Sequence, residues 1–131
     1  MMASKVNSDN ADNNEKLKPI NDVEIEEGTF KYVLIKVKDR STKQFKHIVR
    51  GFCWADFHAD IYEDVEEKLH KEGVQCSCPG GGRIKHSPSS KTISVYGYSQ
   101  GYGRPDHSIT VEILKKHYPQ YEDITWSNDG Y

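Results

Sequence analysis

The residue with the most informative chemistry is His58, in the run Trp54-Ala55-Asp56-Phe57-His58-Ala59-Asp60-Ile61-Tyr62. Phe57, Ile61, Val65 and Leu69 recur at i+4 and predict a helix with His58 in its first turn, one residue after a core-facing position. The positive end of the helix dipole disfavours a second proton on the ring, so imidazole stays neutral and serves as a base near pH 7. The free N–H groups of the same turn attract an anion. A phosphate held there would set its phosphorus beside His58. A histidine at a helix start is often only structural, so the reading needs company. Gly97-Tyr98-Ser99-Gln100-Gly101-Tyr102-Gly103 supplies some: its glycines allow turns that aim backbone N–H groups inward, although such loops often just turn a corner. Lys31, Arg50 and Arg83 supply the rest, since strands could bring these cations to one cleft and arginine offers phosphate a two-pronged fork.

Other chemistries fit less well. Cys78-Pro79-Gly80-Gly81-Gly82-Arg83 resembles a cysteine phosphatase loop, in which a thiolate and an arginine flank five residues. Here four residues separate Cys78 from Arg83 and six separate Cys76 from it. The thiolate must sit at the centre of a ring of N–H groups, so loop length matters, and a small buried residue beside a turn is the plainer role. Cys76-x-Cys78 lacks the spacing of a zinc knuckle, and the six histidines are scattered, so no metal or cofactor is expected. Asp60, Glu63, Asp64, Glu66 and Glu67 read as the solvated face and acidic start of a helix. There is no G-x-x-x-x-G-K-[ST], and nucleoside triphosphate binding is not supported.

These residues must be positioned by elements the periodicity marks out. Residues 1–20, rich in Asn, Asp, Ser and Lys, are expected to be a disordered polar tail, and the domain to span 21–131. Phe30–Lys38 is the strongest strand, its apolar middle suggesting cover on both faces. A polar turn at Asp39–Gln44 leads to a partner strand at Phe45–Phe52, and Gly73 is a plausible cap for the first helix. Val74–Cys78 reads as a short strand, Pro79–Gly82 as a tight loop, and Arg83–His86 with Lys91–Tyr98 as a hairpin. A second helix is expected from Asp106 or Ser108 to His117, burying Ile109 and Ile113 and stopped by Pro119. A last strand falls at Asp123–Ser127. The fold class is therefore α/β (α+β): one domain with a mixed sheet of about six strands flanked by two helices.

Composition narrows the function classes. In a chain of 131 residues, the roughly 110 that remain after the tail make a single domain able to fold without disulfides or metal. Formal charge is −2 with no block of like charge, which argues against nucleic-acid binding by phosphate neutralisation. No apolar run approaches a membrane span, and the start lacks the apolar core of a secretory signal. Three cysteines (Cys53, Cys76 and Cys78) then point to reduced thiols and a cytoplasmic protein. No exposed apolar stripe calls for an obligate partner, and a monomer is expected.

Six collinear segments carry a resemblance to a known family. They are Phe30-Lys31-Tyr32-Val33-Leu34-Ile35, Ile48-Val49-Arg50-Gly51, His58-Ala59-Asp60-Ile61, Pro79-Gly80-Gly81-Gly82-Arg83-Ile84, Val95-Tyr96-Gly97-Tyr98-Ser99 and Asn128-Asp129-Gly130-Tyr131. In this order, from about residue 22 to the end, they closely resemble the protein histidine phosphatase (Janus/Ocnus) family. The resemblance implies a small cytosolic enzyme that removes phosphate from phosphohistidine in proteins, and in some members from phospholysine, without metal. By position it makes His58 the catalytic histidine, Lys31 and Arg83 phosphate-binding cations, and Ser99, Gln100 and Gly101 the backbone-binding loop. Ala59 would add an N–H beside His58, and Arg50 and His107 match positions near the cleft. Two mechanisms remain open, His58 as general base towards water or as nucleophile. The alternatives are a phosphate-binding module without turnover and a sex-regulated developmental member of the family.

Overall fold

The computed structural model describes residues 13–130. Its centre is the predicted strong strand, β2 (Gly28–Asp39), whose side chains alternate between two fully buried sets. Val33, Ile35 and Val37 face one core, and Phe30, Tyr32 and Leu34 the other. An apolar run covered on both faces is thus what its composition implied.

Chain reversal after β2 is local chemistry. The Asp39 carboxylate accepts from Ser41 N (2.9 Å) and Thr42 Oγ1 (3.1 Å), and Asp39 N donates to Gln44 O at 2.9 Å. The turn delivers β3 (Phe45–Phe52) antiparallel to β2, and β1 (Val23–Ile25) lies parallel along its outer edge. On the other side of β2 follow β4 (Val74–Ser87), β5 (Thr92–Tyr96) and β6 (Asp123–Trp126), giving a mixed six-stranded sheet of order β1-β3-β2-β4-β5-β6. Helix α1 (His58–His70) covers the Val33 face and α2 (His107–His117) the Leu34 face, as expected for the fold class. Among the described residues no helix is long and apolar enough to cross a membrane.

Four expectations need correction. Pro79–Gly82 is not a tight loop: β4 runs straight through it, pairing Gly80, Gly81 and Gly82 with Leu34, Val33 and Tyr32. Their role is close approach. A Cβ on Gly80 would lie 2.5 Å from Pro105 N, on Gly81 2.6 Å from His58 Cδ2, and on Gly82 2.3 Å from Tyr96 O. Phe57 is not a core residue: it occupies the N-cap position of α1 and is 68% exposed, and the buried stripe begins at Ile61.

In α2 the fully buried positions are His107, Thr110, Val111 and Leu114, a stripe at i, i+3, i+4 and i+7, while Ile109 and Ile113 are half-buried beside it. That offset arises because the Asp106 carboxylate caps the helix through Ser108 N at 3.0 Å, which starts the stripe at His107.

The part of the expected tail from Asn14 to Ile20 is bound to the domain. Leu17 is fully buried against Val33, Ile35 and Ile61, and Asn14 clips the segment to the β2–β3 turn. Its Nδ2 donates to Asp39 (3.0 Å), Thr42 (3.2 Å) and Gln44 (2.7 Å), and its Oδ1 accepts from Lys16 N and Leu17 N. One leucine and one asparagine suffice to hold a segment whose composition is otherwise that of a solvated tail. Residues 1–12 of the expected tail lie outside the described residues.

Candidate active site

Two cations stand side by side because Lys31 and Arg83 are cross-strand partners of β2 and β4, on the face that carries Val33 and α1. Neither forms an ion pair with a described carboxylate. Helix α1 begins directly above Gly81, where the missing side chain makes room for the His58 ring. The N-cap Phe57 N–H is satisfied by Asp60 Oδ2 at 2.9 Å, and Asp60 N reaches Phe57 O at 3.0 Å. His58 N and Ala59 N remain as the first helix N–H groups without an intrahelical acceptor.

His58 is half-buried, and its Nε2 lies 2.9 Å from the Gly82 carbonyl oxygen. A carbonyl only accepts, so Nε2 carries the proton and Nδ1 keeps a lone pair. Burial lowers the pKa of His58, the Lys31 and Arg83 charges push it the same way, and the Gly82 hydrogen bond opposes them. The ring is therefore a neutral base whose tautomer is dictated by the backbone of β4.

The glycine loop closes the opposite wall. Ser99 N donates to Gly103 O at 3.1 Å, Gly103 N returns to Ser99 O at 2.8 Å, and Tyr102 N donates to Ser99 Oγ at 3.1 Å. Gly97 and Gly103 adopt φ of 80° and 92°, left-handed conformations that the turn requires. Gly81 N donates to Gly103 O at 3.1 Å and ties the loop to β4. The N–H groups of Gln100 and Gly101 have no partner among the described residues and are the loop's available donors.

The result is a cleft of about 1020 Å³ that brings together Lys31, His58, Ala59, Arg83, Ser99, Gln100 and Gly101. Two expected residues are elsewhere. Arg50 is buried on β3, held by Glu24 of β1 (Nε–Oε1 3.4 Å) and the Val49 carbonyl (3.0 Å). His107 lies on the opposite face of the sheet, where Nδ1 accepts from Tyr32 OH at 2.7 Å and Nε2 donates to Gly97 O at 2.8 Å. It anchors the root of the glycine loop from behind. The loop's donors also differ from expectation, because Ser99 N–H is spent on Gly103.

Asp56, Phe57, Tyr98 and Tyr102 also line the cleft, and sequence reasoning did not single them out. For Phe57 a signal was present: a large apolar residue directly before the helix start, where a capping residue is usual. Cys78 does not line the cleft; burial pushes its thiol up to about 12, and Sγ–H donates to Gly80 O at 3.4 Å. A protonated, buried thiol is no nucleophile. Among the described residues, no three His, Cys, Asp or Glu side chains are grouped to hold a metal ion.

Fold and cleft together define a small α+β domain with a basic, histidine-bearing pocket, and comparison with known proteins agrees with one family. The sequence pattern of the Janus/Ocnus family matches residues 17–122, and the chain belongs to that family. It is 50% identical over 121 residues to the 14 kDa phosphohistidine phosphatase of Sus scrofa, covering 88% of this chain and 95% of the relative. The Homo sapiens protein of the same name is 49% identical over 118 residues, covering 86% and 94%. Sex-regulated protein janus-A of Drosophila melanogaster is 50% identical over 105 residues, covering 80% and 76%.

Proposed function

We propose that this chain is a metal-independent protein histidine phosphatase, hydrolysing the P–N bond of phosphohistidine with His58 as general base. The observation that carries this reading is the His58–Gly82 hydrogen bond, which leaves the lone pair of the neutral ring on Nδ1, in a cleft lined by Lys31 and Arg83, neither of which is ion-paired among the described residues. The likeness to the phosphohistidine phosphatases of pig and human supports it independently.

A phosphoramidate bond is labile, so the enzyme must mainly position water and stabilise the charge on the phosphoryl oxygens. Lys31, Arg83 and the N–H groups of Ala59, Gln100 and Gly101 hold those oxygens. His58 Nδ1 takes a proton from the water that attacks phosphorus in line, and the imidazolium it becomes later returns that proton to solvent. Half-burial keeps the base neutral at physiological pH. Phosphohistidine-bearing proteins in the cytoplasm are the proposed substrates.

Phosphate release from a phosphohistidine peptide, measured with chelator present, tests the reading. The unmodified chain should turn over, and His58→Ala should fall by about 10²-fold or more. Binding without release would instead favour a regulatory member of the family. In a rapid quench with labelled peptide, general-base catalysis leaves no phosphate on the enzyme, whereas label on a His58 nitrogen would show nucleophilic attack.

A further inference from the structure

We infer that Asp56, with the exposed ring of Phe57, recognises the basic leaving group and gives the cleft its preference for P–N over P–O bonds; this rests on the phosphatase reading above. Among the described residues, the cleft lining carries two cations, Lys31 and Arg83, and a single carboxylate, Asp56. A carboxylate in a site that served only phosphate would weaken binding by like-charge repulsion. It helps if the ligand is itself dipolar, with an anionic phosphoryl at one end and a cationic base at the other.

Phosphohistidine is such a ligand when its second ring nitrogen is protonated. Among the described residues Asp56 has no competing structural partner. The α1 cap is made by Asp60 Oδ2 to Phe57 N, and Asp56 forms no hydrogen bond or ion pair with the described residues. Phe57 follows it directly, lines the same cleft and is 68% exposed, and its aromatic ring is a surface on which a flat cation stacks.

The chemistry balances. Water's oxygen bonds to phosphorus as the P–N bond breaks, and the bonding pair stays on the ring nitrogen. Water's proton goes to His58 Nδ1. The ring's other nitrogen keeps its proton, held by the Asp56 carboxylate, so the leaving group departs as neutral imidazole rather than as an anion. An aryl phosphate has no such nitrogen and gains nothing from Asp56.

The test compares kcat/KM on a phosphohistidine peptide and on p-nitrophenyl phosphate, for the unmodified chain, Asp56→Asn and Asp56→Glu, with inorganic phosphate as inhibitor. The ratio of peptide to aryl ester should drop about tenfold in Asp56→Asn and recover in Asp56→Glu, the loss expected for a hydrogen bond to a charged partner. Phosphate should inhibit Asp56→Asn at least as strongly as the unmodified chain, because a repelling charge is gone. An unchanged ratio overturns the inference, as does an equal fall on both substrates with weakened phosphate inhibition. An unmodified chain inactive on the peptide overturns the phosphatase reading itself, and this inference with it.

Discussion

His58 and His107 stand on opposite faces of the sheet and meet it at the same residue, Gly82. His58 Nε2 donates to the Gly82 carbonyl at 2.9 Å, while a Cβ on Gly82 would come within 3.0 Å of His107 Cε1. One histidine faces the cleft; the other, fully buried, holds Gly97 and so the base of the glycine loop. The two walls of the cleft therefore share one piece of β4 backbone. The flat, side-chain-free surface of the three glycines is what allows both rings to approach it.

Gly81→Ala tests that close approach. Its Cβ would lie 2.6 Å from both His58 Cδ2 and the Tyr32 carbonyl oxygen, and backbone cannot move aside cheaply. The His58 ring must shift, and misplaced reacting groups cost rate steeply. We expect kcat on phosphohistidine peptide to fall tenfold or more. An ordinary kcat, with His58 undisplaced in a crystal structure of the variant, would contradict this account.

The pH profile follows from the direction of the His58 shift. Burial and the two cations lower its pKa, so the neutral base persists below the usual imidazole value of about 6.5. The acid limb of kcat/KM should therefore break below pH 6.5, and Lys31→Ala should move the break upward by removing one cation. Stability responds with the same sign. His47, His58 and His107 all have pKa values lowered by burial, so the unfolded chain binds more protons than the folded one as pH drops through about 6.5. Melting temperature should be level above that pH and decline below it, which a thermal scan in graded buffers would show.

Tyr32→Phe separates the loop anchor from the catalytic face. The Tyr32 hydroxyl bridges His107 Nδ1 (2.7 Å) and Thr110 Oγ1 (2.9 Å) in the second core. Its removal leaves a buried ring nitrogen without its donor, at a cost of about 1–3 kcal/mol. For a domain of this size that lowers the melting temperature by about 4 °C per kcal/mol. Denaturant unfolding of the variant measures the loss directly; a change under about 0.3 kcal/mol would mean the network contributes no net stability.

Leu17→Ala tests whether the N-terminal segment belongs to the domain. Leu17 is fully exposed to the core and not at all to solvent, so truncating it should cost about 2–5 kcal/mol. A freely solvated tail would show no change. Asn14→Ala, which removes five hydrogen bonds at the clip, should destabilise in the same assay.

Much of this protein follows from local pattern. The nearly continuous apolar middle of Phe30–Lys38 pointed to a strand covered on both faces, and Asp39–Gln44 contained its own turn chemistry. The four-residue recurrence after Phe57 placed α1, and with it a histidine among free helix N–H groups. Each of these rests on neighbours in the chain, whose geometry the backbone imposes. What depended on distant partners was hidden. Three glycines after a proline read as a turn until His58, Tyr96 and Pro105 are seen pressing against them, which makes them strand. Arg50 and Arg83 look equivalent as lone cations, yet register sets Arg83 beside Lys31 while Glu24, brought alongside by β1, claims Arg50. His107 lies across the sheet from the cleft because α2 packs on the Leu34 face. Residue type supplies a base, a cation or a donor; only the packing of the sheet decides which of them share a cleft, and which nitrogen of His58 is left free.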